Sequence, residues 1–137
     1  MKGMILINLD TEEEGELCIG CAGGVNTSAM FTFTPESVPS GSKAYKISLT
    51  GLKGGHTGVD IHLGRGNANK IMNRFLWKAS RDFGLRIASI DGGSLRNAIP
   101  RESFVVATIL NSNDEIFKKW VSNFRETIAN ELKTPEP

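Results

Sequence analysis

The sequence predicts an α+β fold, on two observations. From residue 43 onward, apolar patterns of strand period and helix period follow one another as strand, helix, strand, strand, helix. Before that, three strand-like segments have no helices of their own and are set apart by a Pro-, Ser- and Gly-rich stretch. The later series is a partial ferredoxin-like unit, βαββα, one strand short of the split βαββαβ arrangement. The missing strand leaves an unpaired sheet edge and an uncovered helix face, and the earlier run reads as part of a larger sheet. Both features are expected of a piece of a longer protein.

Met4 to Leu9 is a short apolar run ending at Asp10, the pattern of a strand buried on both faces, and an acidic stretch, Thr11 to Glu16, follows it. Leu17 to Ala22 and Ala29 to Thr34 are two further strand candidates, separated by Gly23-Gly24 and stopped by Pro35. Pro35 to Lys43 is the linker. Tyr45, Ile47 and Leu49 then alternate with Lys46, Ser48 and Thr50, as in a half-buried strand. After a Gly-rich turn, Gly51 to Gly58, the apolar positions Ala68, Ile71, Met72, Phe75, Leu76, Ala79 and Phe83 recur at three- and four-residue steps. They mark a helix over 67–83, closed by Gly84. Leu85 to Ile90 and Ser103 to Leu110 are strands around a turn-rich Asp91 to Ser94. A second helix runs from about Asn113 to Leu132, with Ser112 and Glu115 as its capping box and Ile116, Phe117, Trp120, Phe124 and Ile128 as its core stripe.

Composition narrows the function classes. The 137 residues, 39% hydrophobic and 23% charged, suffice for one ordinary core. Sixteen basic residues against fifteen acidic ones give a charge of +1, so no electrostatic case exists for a nucleic-acid or membrane-surface partner. No run approaches the ~18 apolar residues of a membrane span, and no secretory signal opens the chain, so a cytoplasmic location is expected. Cys18 and Cys21 form a Cys-x-x-Cys within an apolar stretch, with no second pair at zinc-ribbon spacing; they read as reduced structural thiols.

Several residues could carry chemistry. Asp10 ends an apolar strand, where ligands of open α/β sheets bind, and a carboxylate suits a first-row metal; a solvated acidic turn is the plainer alternative. His56, Asp60 and His62 lie within seven residues and could be three ligands of one catalytic zinc, provided the backbone is extended throughout, which Gly58 opposes. On its Gly-Gly turn, His56 is better suited to donate a hydrogen bond to a polarised carbonyl or oxyanion. Asn97, in a polar, Pro-ended segment, could recognise a substrate backbone or carboxylate, or simply stabilise a turn. Gly64 to Lys70 fits neither a phosphate loop nor a dinucleotide fingerprint; Arg65 and Asn67 form a turn and an N-cap instead.

Three stretches, INLDTEEEGELCIGCAGG (7–24), GLKGGHTGVDIHLGRGNANKIMNRFL (51–76) and GGSLRNAIPRE (92–102), resemble the aminoacyl-histidine dipeptidase (Xaa-His or cytosol non-specific dipeptidase) branch of the two-zinc aminoacylase/carboxypeptidase-type metallopeptidases. The resemblance implies that residues 1–36 are the C-terminal edge of the catalytic-domain sheet and residues 37–137 a partial lid, or dimerisation, domain. It implies two zinc ions held by two His, two Asp and one Glu, with a further Glu as general base. Asp10 matches one of these five ligands, and the others have no counterpart in this chain. It also places His56 in the lid as a group that reaches the partner subunit's site and stabilises the tetrahedral oxyanion, and Asn97 as a substrate contact. The implied partners are a dipeptide and a second subunit. Two departures stand out: Cys18 replaces a frequent aromatic residue, and the family's substrate-binding Arg has no counterpart. The expectation is a dipeptidase fragment, inactive alone. The alternatives are a free-standing dimerisation or binding module, and a small mononuclear metal hydrolase built on His56, Asp60 and His62.

Overall fold

A computed structural model of the chain describes residues 3–5, 7, 14–20 and 23–136. The chain divides into two units, Met1–Pro35 and Glu36–Pro137. The second unit is α+β, as the sequence predicts. Its elements are β1 (Ser42–Leu49), β2 (Gly55–His56), α1 (Ala68–Phe83), β3 (Arg86–Gly92), β4 (Ala98–Ile99), β5 (Ser103–Leu110) and α2 (Asp114–Glu131).

β5 is the central strand of an antiparallel sheet ordered β1-β5-β3. Its alternation explains the position: Ser103, Val105, Ala107 and Ile109 are all buried, and the residues between them are partly or fully exposed. Tyr45, Ile47 and Leu49 of β1 lie opposite Ala107, Val105 and Ser103, so their period-two pattern continues the same face. Met72, Phe75, Leu76 and Ala79 of α1 and Phe117 of α2 complete the core on that face, with Trp120, Val121 and Phe124 packed against it. Aromatic rings do much of the filling. Phe75 stands 4.9 Å from Trp120 and 5.4 Å from Phe124, and Phe117 meets Tyr45 edge-on at 5.6 Å.

The helix termini follow local chemistry, with one correction. Asn67 Oδ1 accepts from the Lys70 amide at 3.1 Å, the predicted N-cap, and Gly84 closes α1 at φ 66° with its N–H donated to Ala79 O. The capping box predicted from Ser112 and Glu115 does not form. Asn111–Asn113 is a 3-10 turn, and the Asn113 side chain donates to Phe83 O at 2.9 Å rather than capping its own helix. The first turn of α2 is instead held by Asp114, whose carboxylate receives Lys43 Nζ at 2.8 Å, Lys118 Nζ at 2.9 Å and the Tyr45 hydroxyl.

The first unit departs from the sequence reading. Leu17–Gly20 and Ala29–Thr34 form no strand, and neither do residues 4, 5 and 7; the remaining residues of the predicted Met4–Leu9 and Leu17–Ala22 strands lie outside the described ones. Leu17, Ile19, Met30, Phe31 and Phe33 are exposed. A strand needs a ladder partner and an apolar surface to cover, and the described residues of this unit supply neither, so the cost of ordering the backbone is not offset. Cys18 is likewise exposed rather than packed, and Cys21 lies outside the described residues.

Candidate functional site

The sequence singled out His56 and Asn97, which lie far apart along the chain. The structure brings them together through a two-residue ladder that periodicity did not reveal. β2 pairs antiparallel with β4, His56 opposite Ala98, and the Thr57 amide donates to Asn97 O at 2.9 Å. Both side chains are exposed at the end of this ladder.

Local geometry fixes the His56 ring. Its Nδ1 accepts from the amides of Gly58 at 3.0 Å and Val59 at 3.2 Å. A nitrogen that accepts hydrogen bonds carries no proton, so the ring proton sits on Nε2, which is left as a donor. The backbone of His56 is tied as well: its amide donates to Asp60 Oδ2 at 2.8 Å, and its carbonyl accepts from the Asp60 amide at 3.1 Å. Asp60 in turn lies 3.4 Å from Arg65 Nη1, which donates to Gly54 O at 2.7 Å.

Gly55 makes this closure possible. It adopts φ 147°, and a Cβ there would stand 2.5 Å from Arg65 Nη1 and 2.7 Å from Asp60 Oδ2. Further contacts anchor the loop at its base. The Glu136 carboxylate accepts from the Lys53 amide at 2.9 Å and the Gly66 amide at 2.8 Å, and the Ala68 amide donates to Pro100 O at 2.8 Å. Beside the ladder lies an open groove of ≈510 Å³, lined by residues that include Gly54, Gly55, Gly93, Leu95 and Arg101.

The mononuclear zinc reading is corrected here. His62 sits exposed on the 3-10 turn Ile61–Leu63, Asp60 is committed to the His56 amide and Arg65, and His56 Nδ1 is occupied by backbone amides. Among the described residues no three His, Cys, Asp or Glu side chains converge as metal ligands. Asp10, the predicted ligand, lies outside the described residues. The residues missed by the sequence reading are Asp60 and Arg65 as loop anchors, and Glu136. Nothing in residue spacing signals that Glu136 reaches back to two loops; only the fold does.

Away from this site, the Asp114 cluster is electrostatically distinctive. The hydrogen bond from Lys43, then those from Tyr45 and Lys118, hold the Asp114 carboxyl well below the usual carboxylate range. The bond to Asp114 raises Lys118, while burial and then Asp114 raise Tyr45. The cluster clasps β1 to α2.

A three-stranded antiparallel sheet under two helices, with a two-stranded ladder formed by its connecting loops, defines an α+β module. The chain belongs to the peptidase dimerisation domain family, whose profile matches residues 47–136. Over 136 residues, 99% of its length, the chain is 45% identical to the cytosol non-specific dipeptidase of Escherichia coli (strain K12). The crystal structure of aminoacylhistidine dipeptidase from Vibrio alginolyticus superposes with a TM-score of 0.72 at 43% identity, covering 75% of this chain. The chain spans 28% of the first relative and 21% of the second.

Proposed function

We propose that the chain is a segment of a zinc dipeptidase, with residues 37–137 serving as part of its lid and dimerisation domain and residues 1–36 as the C-terminal edge of its catalytic sheet. The intact enzyme hydrolyses dipeptides, including those ending in His, in the cytoplasm, as the names of the two relatives suggest. Asp10 is a metal ligand in that enzyme. Among the described residues no three His, Cys, Asp or Glu side chains converge, and the role proposed for His56 and Asn97 is toward the substrate.

One observation carries this reading: His56 is locked with Nδ1 as acceptor and Nε2–H as donor, at the end of a ladder that also holds Asn97. A neutral, fixed N–H is suited to a developing oxyanion, because it needs no reorganisation when charge appears. In a homodimer His56 stabilises the tetrahedral oxyanion in the other subunit's site, while the Asn97 amide binds the dipeptide backbone or carboxylate. In the intact enzyme His56→Ala is expected to lower kcat about 100- to 1000-fold, the usual cost of removing one oxyanion donor. Unchanged kcat in that variant would falsify the assignment.

A further inference from the structure

The run Gly64 to Lys70, which fits no phosphate loop, opens α1 and meets a second loop besides the one that carries His56. That second loop, over 92–100, carries Asn97, and both of its ends are held by neighbouring residues in the first turn of α1. At one end Asn69 Nδ2 donates to Gly92 O at 3.2 Å. At the other the Ala68 amide, one of the donors that a helix start leaves without an intrahelical partner, donates to Pro100 O at 2.8 Å. The fit around Asn69 is close. A Cβ at Gly92 would stand 2.4 Å from Asn69 Oδ1, and one at Gly93, where φ is 75°, would stand 2.7 Å from Asn69 Nδ2 and 3.3 Å from Pro100 Cγ. The two ends of the loop therefore meet on the helix turn, and the residues between them project as a compact loop. Within it the Ala98 amide donates to Leu95 O at 3.4 Å, and Asn97 O accepts from the Thr57 amide at 2.9 Å.

The geometry points to Asn69 as the positioning residue for Asn97. A ladder as short as β2–β4 does not hold itself in place, so the placing of Asn97 falls to the groups that fix the ends of its loop. Ala68 contributes a backbone amide, which any residue but Pro would supply. Asn69 contributes a side chain. That side chain is exposed and caps nothing in its own helix, whose Lys70 amide is taken by Asn67 Oδ1. Its hydrogen bond serves the loop. The same stretch of chain holds His56, because Arg65 Nη1 donates to Gly54 O at 2.7 Å and lies 3.4 Å from the Asp60 carboxylate that accepts the His56 amide. Arg65 to Asn69 therefore sets the oxyanion donor at one end and the substrate amide at the other, and fixes the spacing between them.

This inference rests on the proposed substrate role of Asn97, and the test separates the two. Steady-state kinetics of the intact enzyme on an Xaa-His dipeptide are compared for Asn69→Asp, Asn69→Ala, Asn97→Ala and the double variant Asn69→Ala with Asn97→Ala. Asn69→Asp keeps the shape of the side chain but cannot donate to Gly92 O, and a negative charge in the first turn favours the helix. A merely structural role therefore predicts no loss from it. Both Asn69 variants are expected to raise KM about fivefold, the worth of one ordinary hydrogen bond, with kcat within about twofold of the unaltered enzyme. The double variant is expected to bind no more weakly than Asn97→Ala alone. If Asn97→Ala raises KM and the Asn69 variants do not, the inference is overturned and the role of Asn97 survives. A rise in Asn69→Asp alone is an effect of charge and overturns it too; should one Asn69 variant not fold, the other decides. If Asn97→Ala leaves KM unchanged, the substrate role fails, and amide exchange of the 137-residue chain decides the positioning. Asn69→Ala is then expected to speed exchange at Thr57 and Ala98 about fivefold with β5 unaffected, and unchanged exchange at both overturns the inference.

Discussion

At the scale of single residues, the structure assigns definite chemical states. His56 accepts at Nδ1 from two amides, so its imidazole is the Nε2–H tautomer. Nitrogen-15 shifts of the neutral ring are expected to show the Nε2–H tautomer, and the Nδ1–H tautomer contradicts the donor role. Gly55→Ala forces a Cβ onto Arg65 and Asp60 at a φ that L side chains avoid; a loss of about 1–3 kcal/mol is expected in urea melts, together with altered His56 ring shifts. Asp114 shows its effect in pH dependence. Its folded carboxyl releases the proton more readily than in the unfolded chain, so the stability it contributes is fully present above about pH 5 and is lost as pH falls below about 4. Asp114→Asn is expected to flatten the acid limb of a stability-versus-pH curve; an unchanged limb shows that the cluster contributes nothing. Lys118 and Tyr45, both raised, lose their contribution in the opposite direction, as pH climbs past about 10.

At the scale of elements, the parts that were legible in the sequence are those whose signal is local. The apolar steps from Ala68 to Phe83, the Asn67 cap and the Gly84 stop describe α1 completely, and the alternation of Tyr45, Ile47 and Leu49 describes β1. The features that escaped depend on distant partners. The β2–β4 ladder has two residues per strand, too few for periodicity to register, and it exists because the loops around it are pinned by Arg65 and Glu136. The predicted capping box failed because Asn111–Asn113 closes into a 3-10 turn, in which the Ser112 hydroxyl donates to Asn113 Oδ1 and the Asn113 side chain donates to Phe83 O, on another element. Where a helix meets the sheet, packing dominates: Phe75 of α1 touches rings from α2 and is buried. Phe75→Ala is expected to cost about 3–5 kcal/mol in a denaturant titration, through lost burial and the cavity left behind. A cost below ~1 kcal/mol contradicts the core described here.

At the scale of the whole molecule, the two units differ in kind. Glu36–Pro137 buries a continuous core of its own, whereas the described residues of Met1–Pro35 leave large apolar side chains in solvent. The difference explains why strand patterning read correctly in one unit and failed in the other, because an alternating or apolar run becomes a strand only beside a partner. It also agrees with the family to which the chain belongs and with the 28% of the Escherichia coli relative that it spans. Of the candidate site, the residue types were legible and their juxtaposition was not, since nothing in the spacing of His56 and Asn97 says that two short strands will align them. The central proposal is that this chain supplies substrate contacts and part of a dimerisation domain but not the metal chemistry of hydrolysis. The most direct test is release of histidine from an Xaa-His dipeptide by the purified 137-residue chain with added zinc. No release above the enzyme-free blank is predicted, and sustained turnover that scales with the concentration of the chain contradicts the account.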